Sequence, residues 1–453
     1  MTIDISFLGA ADTVTGSRHL VHIGGQSIGL DCGMFQGFKV HRERNWLPPP
    51  RELVEADALV LSHAHLDHSG WLPVLVRSGF RGRVHASPAT IDLAEVLLLD
   101  SAHLQEEDAR RANRWGYTRH AKALPLYTRR DVQRTLQRFV PLLPGREAAV
   151  GGVRIALTPV GHLLGACAVT LAHGHERLVF SGDLGRQQDL LMPPPNRIGE
   201  ADVLLVESTY GNRAHPAVDA AAELGRIVRE TAQRGGSVLL PAFAVGRAQA
   251  LMLVLQRLKA AGQIPAGLPV FLDSPMATQA TELYRKHRRL LRIAPREAAQ
   301  LAEGVRFVGD ARQSMALTKS RFPSVIISAS GMATGGRVLH HLKAMAPVDK
   351  HHIVFAGFQV GGSRGARLVA GATDVKIHGE YVPVRAQVSQ LEGFSGHADS
   401  DELVGWLRGV SKAPRQTFVV HGEPDAADAL RVRIQDELGW RVRVPQHGAT
   451  LSA

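Results

Sequence analysis

Short, mostly apolar runs recur along the chain, and several of them end just before a residue that can bind a metal or transfer a proton. The runs are residues 27–30, 58–61, 153–160, 178–180, 203–206 and 418–420, and the polar residues that follow them are Asp31, His63, His162, Asp183, Glu207 and His421. Runs of this length and composition predict buried strands. Because all of these strands end at side chains of the ligand type, the sequence predicts one rim and one site.

Other apolar runs alternate with helical stretches, which is typical of layered α/β proteins. Apolar residues at helical spacing predict one long helix over Ala89–Trp115. From residue 211 to residue 371 the pattern predicts a smaller α/β unit, with strands at 237–240, 270–272, 325–328 and 353–356. Ligand-type residues are sparse at these strand ends and return after them. The sequence therefore predicts a site assembled from both ends of the chain, with the middle inserted.

Composition narrows the class of protein. A chain of 453 residues with 45% hydrophobic content is long enough for several domains and a sizeable core. It shows no signal segment and no run of about 18 apolar residues, which predicts a cytoplasmic protein without a membrane span. Cys32 and Cys167 are too few for a disulfide framework and lack the spacing of a thiolate zinc site. The net charge of +11 fits a polyanionic partner and equally an arginine-rich surface.

The strongest chemical signal is the cluster His63-Ala64-His65-Leu66-Asp67-His68. His63 and His65, two residues apart at the end of a strand, can point to the same side, and the following turn can return Asp67 and His68 toward them. Such a dense set of ligands fits two adjacent metal ions better than one. Imidazole and carboxylate without thiolate favour zinc and also allow manganese or iron. The alternative, a solvated histidine-rich loop, is disfavoured by the packed spacing after an apolar strand.

The other candidate residues have ordinary structural explanations when each is taken alone. His162 could be a hydrogen-bonded loop histidine, and Asp183 could be a turn aspartate. Glu207 could cap the segment that follows it, and His397 could form a simple loop hydrogen bond. The recurrence of such residues after strands, downstream of the cluster, favours a functional role for His162 and Asp183.

Together these motifs resemble those of metallo-β-lactamase-fold hydrolases, and within them those of the β-CASP nucleases that process RNA, such as bacterial β-CASP ribonucleases and the cleavage and polyadenylation endonuclease subunit. The residues similar to the parent fold are Asp31, the 63–68 cluster, His162 and Asp183. Those similar to the subgroup are Glu207-Ser208-Thr209-Tyr210-Gly211, Ser395-Gly396-His397-Ala398-Asp399 and His421. The resemblance spans nearly the whole chain. It implies an α/β fold, a metallo-β-lactamase αββα sandwich (residues 1–210 and 372–453) with an inserted β-CASP α/β domain (residues 211–371).

The resemblance implies a dinuclear centre with two Zn²⁺ ions per chain, or Mn²⁺ in their place. One ion would be held by His63, His65 and His162, the other by Asp67, His68 and His421, with Asp183 as a bridge and Asp31 orienting the ligands. A metal-activated hydroxide would attack phosphorus, and His397 beside Glu207 would protonate the leaving oxygen as the general acid. The implied catalytic set is therefore Asp67, Asp183, Glu207 and His397.

The resemblance also favours single-stranded RNA as the substrate. Members that process RNA resemble this chain in carrying a histidine at the position of His421, whereas DNA-repair members usually carry an apolar residue. The stretches 330–337 and 361–365 resemble phosphate-contacting loops, in which glycines let backbone N–H groups approach an oxyanion. The implied RNA or phosphate contacts are Ser330, Gly331, Thr334, Gly335, Arg337, Ser363 and Arg364. A homodimer is retained as a candidate assembly.

Three other functions stay open from the sequence. A DNA nuclease of the same fold is the nearest, because dinuclear phosphodiester chemistry does not require a 2′-hydroxyl. A small-molecule thioesterase or lactamase would explain the ligands through Asp183, but not the insert or the set Glu207, His397 and His421. A non-catalytic RNA-binding subunit would predict gaps in the ligand set, and each mapped position is filled. The sequence also does not separate endonuclease from 5′ exonuclease action.

Overall fold

The computed structural model describes residues 2–116, 121–357, 359 and 361–453. The strands are β1 (Asp4–Gly9), β2 (Arg18–Ile23), β3 (Gln26–Leu30), β4 (Ala58–Val60), β5 (Arg83–Ala86), β6 (Phe139–Pro141), β7 (Glu147–Val150), β8 (Val153–Pro159), β9 (Cys167–His173), β10 (Glu176–Phe180), β11 (Val203–Glu207), β12 (Val238–Pro241), β13 (Val270–Asp273), β14 (Val305–Phe307), β15 (Val325–Ser328), β16 (His352–Ala356), β17 (Asp374–Ile377), β18 (Glu380–Pro383), β19 (Gln387–Leu391), β20 (Gln416–Val420), β21 (Val442–Arg443) and β22 (Thr450–Ser452). The α-helices are α1 (Lys39–Glu43), α2 (Arg51–Val54), α3 (Leu66–Ser69), α4 (Leu72–Arg77), α5 (Pro88–Trp115), α6 (Arg129–Leu136), α7 (Ala220–Gln233), α8 (Arg247–Ala260), α9 (Pro275–Lys286), α10 (Pro295–Ala299), α11 (Ala311–Thr318), α12 (Val338–Met345), α13 (Arg364–Val369), α14 (Ser400–Leu407) and α15 (Pro424–Leu438).

Contacts divide the described residues into two compact units, one formed by the chain up to Ala214 together with His397–Ala453, the other by His215–Gly396. The first unit holds a sheet of order β22-β1-β2-β3-β4-β5-β6 and another of order β21-β20-β11-β10-β9-β8-β7. Strands β3 to β6 run parallel, as do β10, β11 and β20. The C-terminal ends of neighbouring parallel strands therefore lie at one edge of each sheet, which is where the predicted site residues follow.

The core of the first unit lies between its sheets. Buried Phe7 and Ile28 from one sheet and Val169, Phe180 and Phe418 from the other belong to one hydrophobic cluster. Strands β11 and β20 are buried along their whole length, because helices such as α15 also cover the sheets. The predicted αββα sandwich is thus confirmed.

The second unit is a doubly covered parallel sheet of order β14-β13-β15-β12-β16-β19, with a small β17-β18 hairpin. Its core joins Leu239, Ile326 and Phe355 of the sheet to Leu339 and Leu342 of α12. Helices α7, α8 and α12 pack on its strands. An α/β insert is thus confirmed as well.

The strongest periodic patterns of the sequence match the observed elements closely. The predicted helix is α5, which begins where the Ser87 side chain accepts from the Thr90 N–H and ends at Gly116, a residue with φ of 64°. Each strand predicted to end at a site residue is present, with ends shifted by a few residues at most. Strands without an individual sequence prediction include β1, β2, β5 and β9 in the first unit and β14, β17, β18 and β19 in the second.

The end of the insert differs from the sequence-based boundary. Strand β19 pairs in parallel with β16, opposite His352 to Ala356, so the compact second unit reaches Gly396 where the sequence suggested residue 371. The division into domains 1–210, 211–371 and 372–453 stays a prediction.

No helix among the described residues is both long and apolar enough to cross a membrane. The cytoplasmic location and the homodimer stay predictions.

Candidate metal centre

The histidine cluster lies directly after β4, in the first unit. The His63 Nε2 and His65 Nδ1 atoms are 3.1 Å apart, and the short helix α3 begins right after His65. The His68 and Ser69 N–H groups both donate to the His65 carbonyl, which turns Asp67 and His68 back toward the preceding histidines. The predicted return of the chain is therefore observed.

His162 joins this cluster from the loop after β8. Its Nε2 atom lies 3.2 Å from His65 Nδ1. The loop is closed by a Val160 N–H to Ala166 carbonyl bond, and Gly161 has φ of 66°. A Cβ atom at Gly161 would lie 1.9 Å from the Pro193 carbonyl oxygen, so only glycine allows this approach.

Asp183 lies between two groups of histidines and faces each with a different carboxylate oxygen. Its Oδ2 atom is 3.6 Å from both His63 Nε2 and His162 Nε2. Its Oδ1 atom is 3.2 Å from His68 Nε2 and 3.3 Å from His421 Nδ1. The two oxygens of Asp183 therefore face two separate groups of histidines.

His421 completes the second group from the end of β20. Its Nε2 atom is 3.0 Å from His68 Nε2 and 3.7 Å from Asp67 Oδ2. The residue has φ of 52°, and its N–H donates to the Ala10 carbonyl at 2.7 Å. This backbone bond to Ala10, just after β1, fixes His421 at the end of β20, and residues from both ends of the chain meet here as predicted.

Asp31 lies behind the cluster and is fully buried. Its Oδ2 atom is 2.7 Å from His68 Nδ1, and its Oδ1 atom accepts from the Ser62 N–H at 2.8 Å. The Ser62 and Ser17 hydroxyl groups also donate to it. A carboxylate on Nδ1 fixes the tautomer of His68 and leaves Nε2 free to bind a metal. Sequence reasoning did not identify Ser17, because an isolated serine in the β1–β2 turn carries no signal.

The loop that carries Asp31 also packs on the ligand cluster through its backbone. The Cys32 N–H donates to the His68 carbonyl and the Met34 N–H to the Leu66 carbonyl. A Cβ atom at Gly33 would lie 1.6 Å from the Asp67 carbonyl oxygen. Glycine is therefore required for this close approach.

The distances between the ligand atoms fit the sharing of a metal ion better than direct hydrogen bonds between the side chains. Two ligand atoms that share a tetrahedral zinc ion lie about 3.3 Å apart, and the nitrogen pairs here are separated by 3.0 to 3.2 Å. Asp183 Oδ1 is buried and accepts no hydrogen bond from the described residues. The ligand atoms of His63, His65, His162 and Asp183 lie within 4.8 Å of one another, as do those of Asp67, His68 and His421.

The electrostatics favour the metal-binding protonation states at Asp67, Asp183, His65 and His63, but not at His68. Burial alone would raise the pKa of Asp67, but the neighbouring His421 and His68 lower it to about 2. Burial likewise opposes ionisation of Asp183, and the surrounding histidines hold its pKa well below the usual range. Burial lowers the pKa of His65 to about 4 and that of His63 well below 6.5. Ionised carboxylates and neutral imidazoles are the ligand forms of these side chains. Burial would lower the pKa of His68, but the Asp183 and Asp31 carboxylates raise it well above 6.5, so a metal ion would have to displace a proton from that ring.

Glu207 and His397 form a separate pair beside the cluster. His397 Nδ1 lies 3.3 Å from Glu207 Oε1, which also accepts from the Leu184 N–H, and 3.9 Å from Asp183 Oδ2. Burial would lower the pKa of His397, but the Glu207 carboxylate outweighs it and raises that pKa. The His397 side chain is 22% exposed whereas Glu207 is fully buried. The pair can therefore hold a proton on a ring that a ligand can reach.

The predicted phosphate-contacting loops lie side by side in the second unit. Ser330 Oγ accepts from the Thr334 N–H, and the Gly365 N–H donates to the Met332 carbonyl. Gly335 has open space around it. Ser363 caps α13 by accepting from the Ala366 N–H, and the Arg364 guanidinium donates to the Lys376 and Ala333 carbonyls. Their role in binding RNA stays a prediction.

Arg337 is held by the protein itself through a network that the sequence did not reveal. It donates to Asp273 Oδ1 at 2.7 Å and to the Val308 and Gly309 carbonyls. Asp273 is fully buried, and Ser314 Oγ and His341 Nε2 lie 2.5 and 2.6 Å from it. These bonds occupy three of the five N–H donors of the guanidinium, so a phosphate could meet only the remaining edge.

Comparisons with known families and proteins agree with this geometry. Residues 28–240 match the beta-lactamase superfamily domain, residues 248–368 the Beta-Casp domain, and residues 381–445 a Zn-dependent metallo-hydrolase RNA specificity domain. A curated protein of Thermus thermophilus named Ribonuclease TTHA0252 is 40% identical over 433 residues, which cover 93% of this chain and 94% of the relative.

More distant similarities extend the same picture. The transcription termination factor FttA of Methanocaldococcus jannaschii is 32% identical over 95% of this chain and 69% of its own length. A crystal structure of a protein of unknown function from Enterococcus faecalis superposes with a TM-score of 0.58 at 15% identity, covering 100% of both chains. The latter similarity concerns the fold alone.

Proposed function

The chain belongs to the β-CASP family of metallo-hydrolases, and we propose that it is a zinc-dependent ribonuclease that hydrolyses phosphodiester bonds of single-stranded RNA. The observation that carries the proposal is the position of Asp183. One of its carboxylate oxygens faces the group of His63, His65 and His162, and the other faces the group of Asp67, His68 and His421. The RNA specificity domain matched by residues 381–445 and the name of the Thermus relative support RNA as the substrate.

The ligand residues would hold two zinc ions, with Asp183 between them. Zinc bound there would supply Lewis acidity to the phosphoryl oxygens and would lower the pKa of a bound water, so that hydroxide would be available near neutral pH. Asp31 keeps the Nε2 atom of His68 directed into the site, through its 2.7 Å contact with Nδ1. The buried walls around the ligands, including Ser62 and Leu184, exclude bulk water and strengthen these electrostatic interactions.

His397 serves as the general acid in this proposal. Its Nδ1 atom faces Glu207, so the opposite nitrogen of the ring carries the proton toward the leaving oxygen. Glu207 is a positioning residue, because the Leu184 and Thr209 N–H groups fix its carboxylate and it in turn orients the imidazole. The raised pKa of His397 keeps the proton available near neutral pH.

A comparison of substrates tests this proposal. Zinc-loaded protein and a chelator-treated sample are incubated with end-labelled single-stranded RNA, with DNA of the same sequence, and with a thioester and a β-lactam. We expect metal-dependent cleavage of RNA that exceeds cleavage of DNA, with no turnover of the small molecules. RNA carrying a 5′-phosphate or a 5′-hydroxyl is compared in parallel, and the size ladder separates internal from end-directed cleavage.

Each alternative function has its own outcome in this experiment. DNA cleavage at or above the RNA rate would make the protein a DNA nuclease. Turnover of the thioester or β-lactam without nuclease activity would replace the proposal by a small-molecule hydrolase. Equal cleavage with and without chelator would contradict a metal-dependent reaction.

A further inference from the structure

A group of arginines on the first unit plays no part in the candidate metal centre. We call it the arginine patch: Arg77 at the end of α4, Arg81 and Arg83 before and in β5, and Arg130, Arg134 and Arg138 in and after α6. The side chains of Arg81, Arg83, Arg130 and Arg134 are exposed, that of Arg77 is 43% exposed, and Arg138 is half-buried.

Contacts between these elements hold the patch together. Helices α4 and α6 pack against each other. Arg138 Nη1 donates to the Arg81 carbonyl at 3.1 Å, and Arg83 Nη1 donates to the Gln137 carbonyl at 3.4 Å. Arg130 and Arg134 lie four residues apart on α6 and therefore share one face of that helix. These contacts bring the segments that carry the six arginines next to one another.

Carboxylates do not balance this charge. Among the described residues, only Asp131 forms an ion pair with the patch, 3.7 Å from Arg77, and that carboxylate also accepts from the Thr128 N–H and hydroxyl in a capping box. Glu55, at the C-terminal cap of α2, is paired with Arg51, and Asp57 accepts from the Ser27 N–H. Like charges at this spacing destabilise a helix, so the uncompensated arginines are not explained by the stability of α6.

The patch lies at the opposite edge of the sheet from the ligand cluster. Strands β4 and β5 are parallel with Ala58 opposite Arg83, whereas His63 follows the other end of β4. At about 3.3 Å per residue, the stretch from Ala58 to His63 spans roughly 16 Å. An anion on the patch would therefore not touch the metal ligands.

Arginine, rather than lysine, forms the whole patch, and its planar guanidinium binds phosphate oxygens in a bidentate manner. We propose that the arginine patch is a second RNA-binding surface, which holds the phosphate backbone of a long substrate at a distance from the cleavage site. This proposal rests on RNA being the substrate. It predicts that the affinity of the protein for RNA increases with RNA length, whereas the rate of the cleavage step does not.

The test variant combines Arg81→Gln, Arg130→Gln and Arg134→Gln, since none of these side chains forms an ion pair or a hydrogen bond with the described residues. The matched control, Arg408→Gln, Arg431→Gln and Arg433→Gln, removes the same charge from arginines that are already paired with carboxylates. Binding of fluorescent single-stranded RNA to the zinc-loaded proteins is measured by anisotropy across a salt series. Turnover of a trinucleotide and of an aryl phosphodiester is measured in parallel.

We expect the patch variant to bind long RNA at least about tenfold more weakly at low salt, and its log Kd against log salt slope to fall by about 2, because each lost contact on a single strand contributes about 0.7. Turnover of the two small substrates should not change. A slope equal to that of the control would overturn the proposal. Binding to anionic lipid vesicles is measured on the same proteins, and a patch variant that binds RNA normally but no longer binds the vesicles would also overturn it. If neither the unmodified protein nor the two variants cleave RNA, but the patch variant still binds RNA more weakly, the ribonuclease assignment fails and the RNA-binding surface stands.

Discussion

Replacement of Asp183 by alanine is expected to abolish RNA cleavage while leaving RNA affinity nearly unchanged. Asp183 is the residue whose two oxygens face both histidine groups, so its loss removes a ligand from each proposed zinc site. Changes outside the ligand shell already cost about 10- to 100-fold in metal affinity or activity, and we expect a larger loss here. Zinc content by mass spectrometry, RNA binding by anisotropy and cleavage of labelled RNA are measured on the same preparation.

The matched control is Asp436→Ala, which removes an exposed carboxylate from α15 in the same unit. It should retain zinc and activity. Turnover by Asp183→Ala at the rate of the control would refute the assignment of the metal ligands. Loss of RNA binding together with activity would instead indicate that the variant is misfolded, which its thermal unfolding curve would reveal.

Replacement of His397 by alanine is expected to slow cleavage of RNA far more than cleavage of an activated aryl phosphodiester. The alkoxide that leaves RNA needs a proton, whereas a nitrophenolate leaves without one, and general acid catalysis contributes about 10²- to 10⁴-fold. The two substrates are compared by their kcat values on one enzyme preparation, so each serves as the control for the other. Equal losses on both substrates would exclude the general acid role.

Glu207→Gln extends this test to the positioning residue. Glutamine keeps the shape of the side chain but removes the charge that raises the pKa of His397. We expect the same preference for the activated substrate, with a smaller loss than for His397→Ala. An equal loss of kcat on both substrates would mean that Glu207 only supports the fold around Leu184.

Much of the fold and of the candidate site could be predicted because both depend on strand ends. The buried strands β11 and β20 contain the apolar runs 203–206 and 418–420, which could be recognised in the sequence. Glu207 is the last residue of β11 and His421 directly follows β20, so both side chains lie at strand ends. The cluster from His63 to His68 is local in sequence, so its spacing alone indicated its chemistry. The α5 helix was visible for the same reason, since its buried face repeats at helical spacing.

The missing parts are those without a local pattern. Strand β19 is only partly buried along most of its length, and strand β14 has exposed residues, so neither shows a clear apolar run. Ser17 meets Asp31 only through the turn between β1 and β2. The bond from Arg337 to Asp273, which is distant in sequence, could not be inferred from the glycines that precede Arg337, and the role of Arg337 in binding phosphate stays a prediction. Such partners arise from tertiary packing, which a single sequence does not encode in its periodicity.

The central claim, that paired metal ions held by the histidine and aspartate groups perform the cleavage, is tested most directly by zinc titration of the metal-free protein. Metal is removed with a chelator, its absence is checked by mass spectrometry, and RNA cleavage is followed as zinc is returned. The account predicts no cleavage without metal and a rate that reaches its plateau at two equivalents of zinc per chain. Full cleavage by protein that verifiably contains no metal would contradict it.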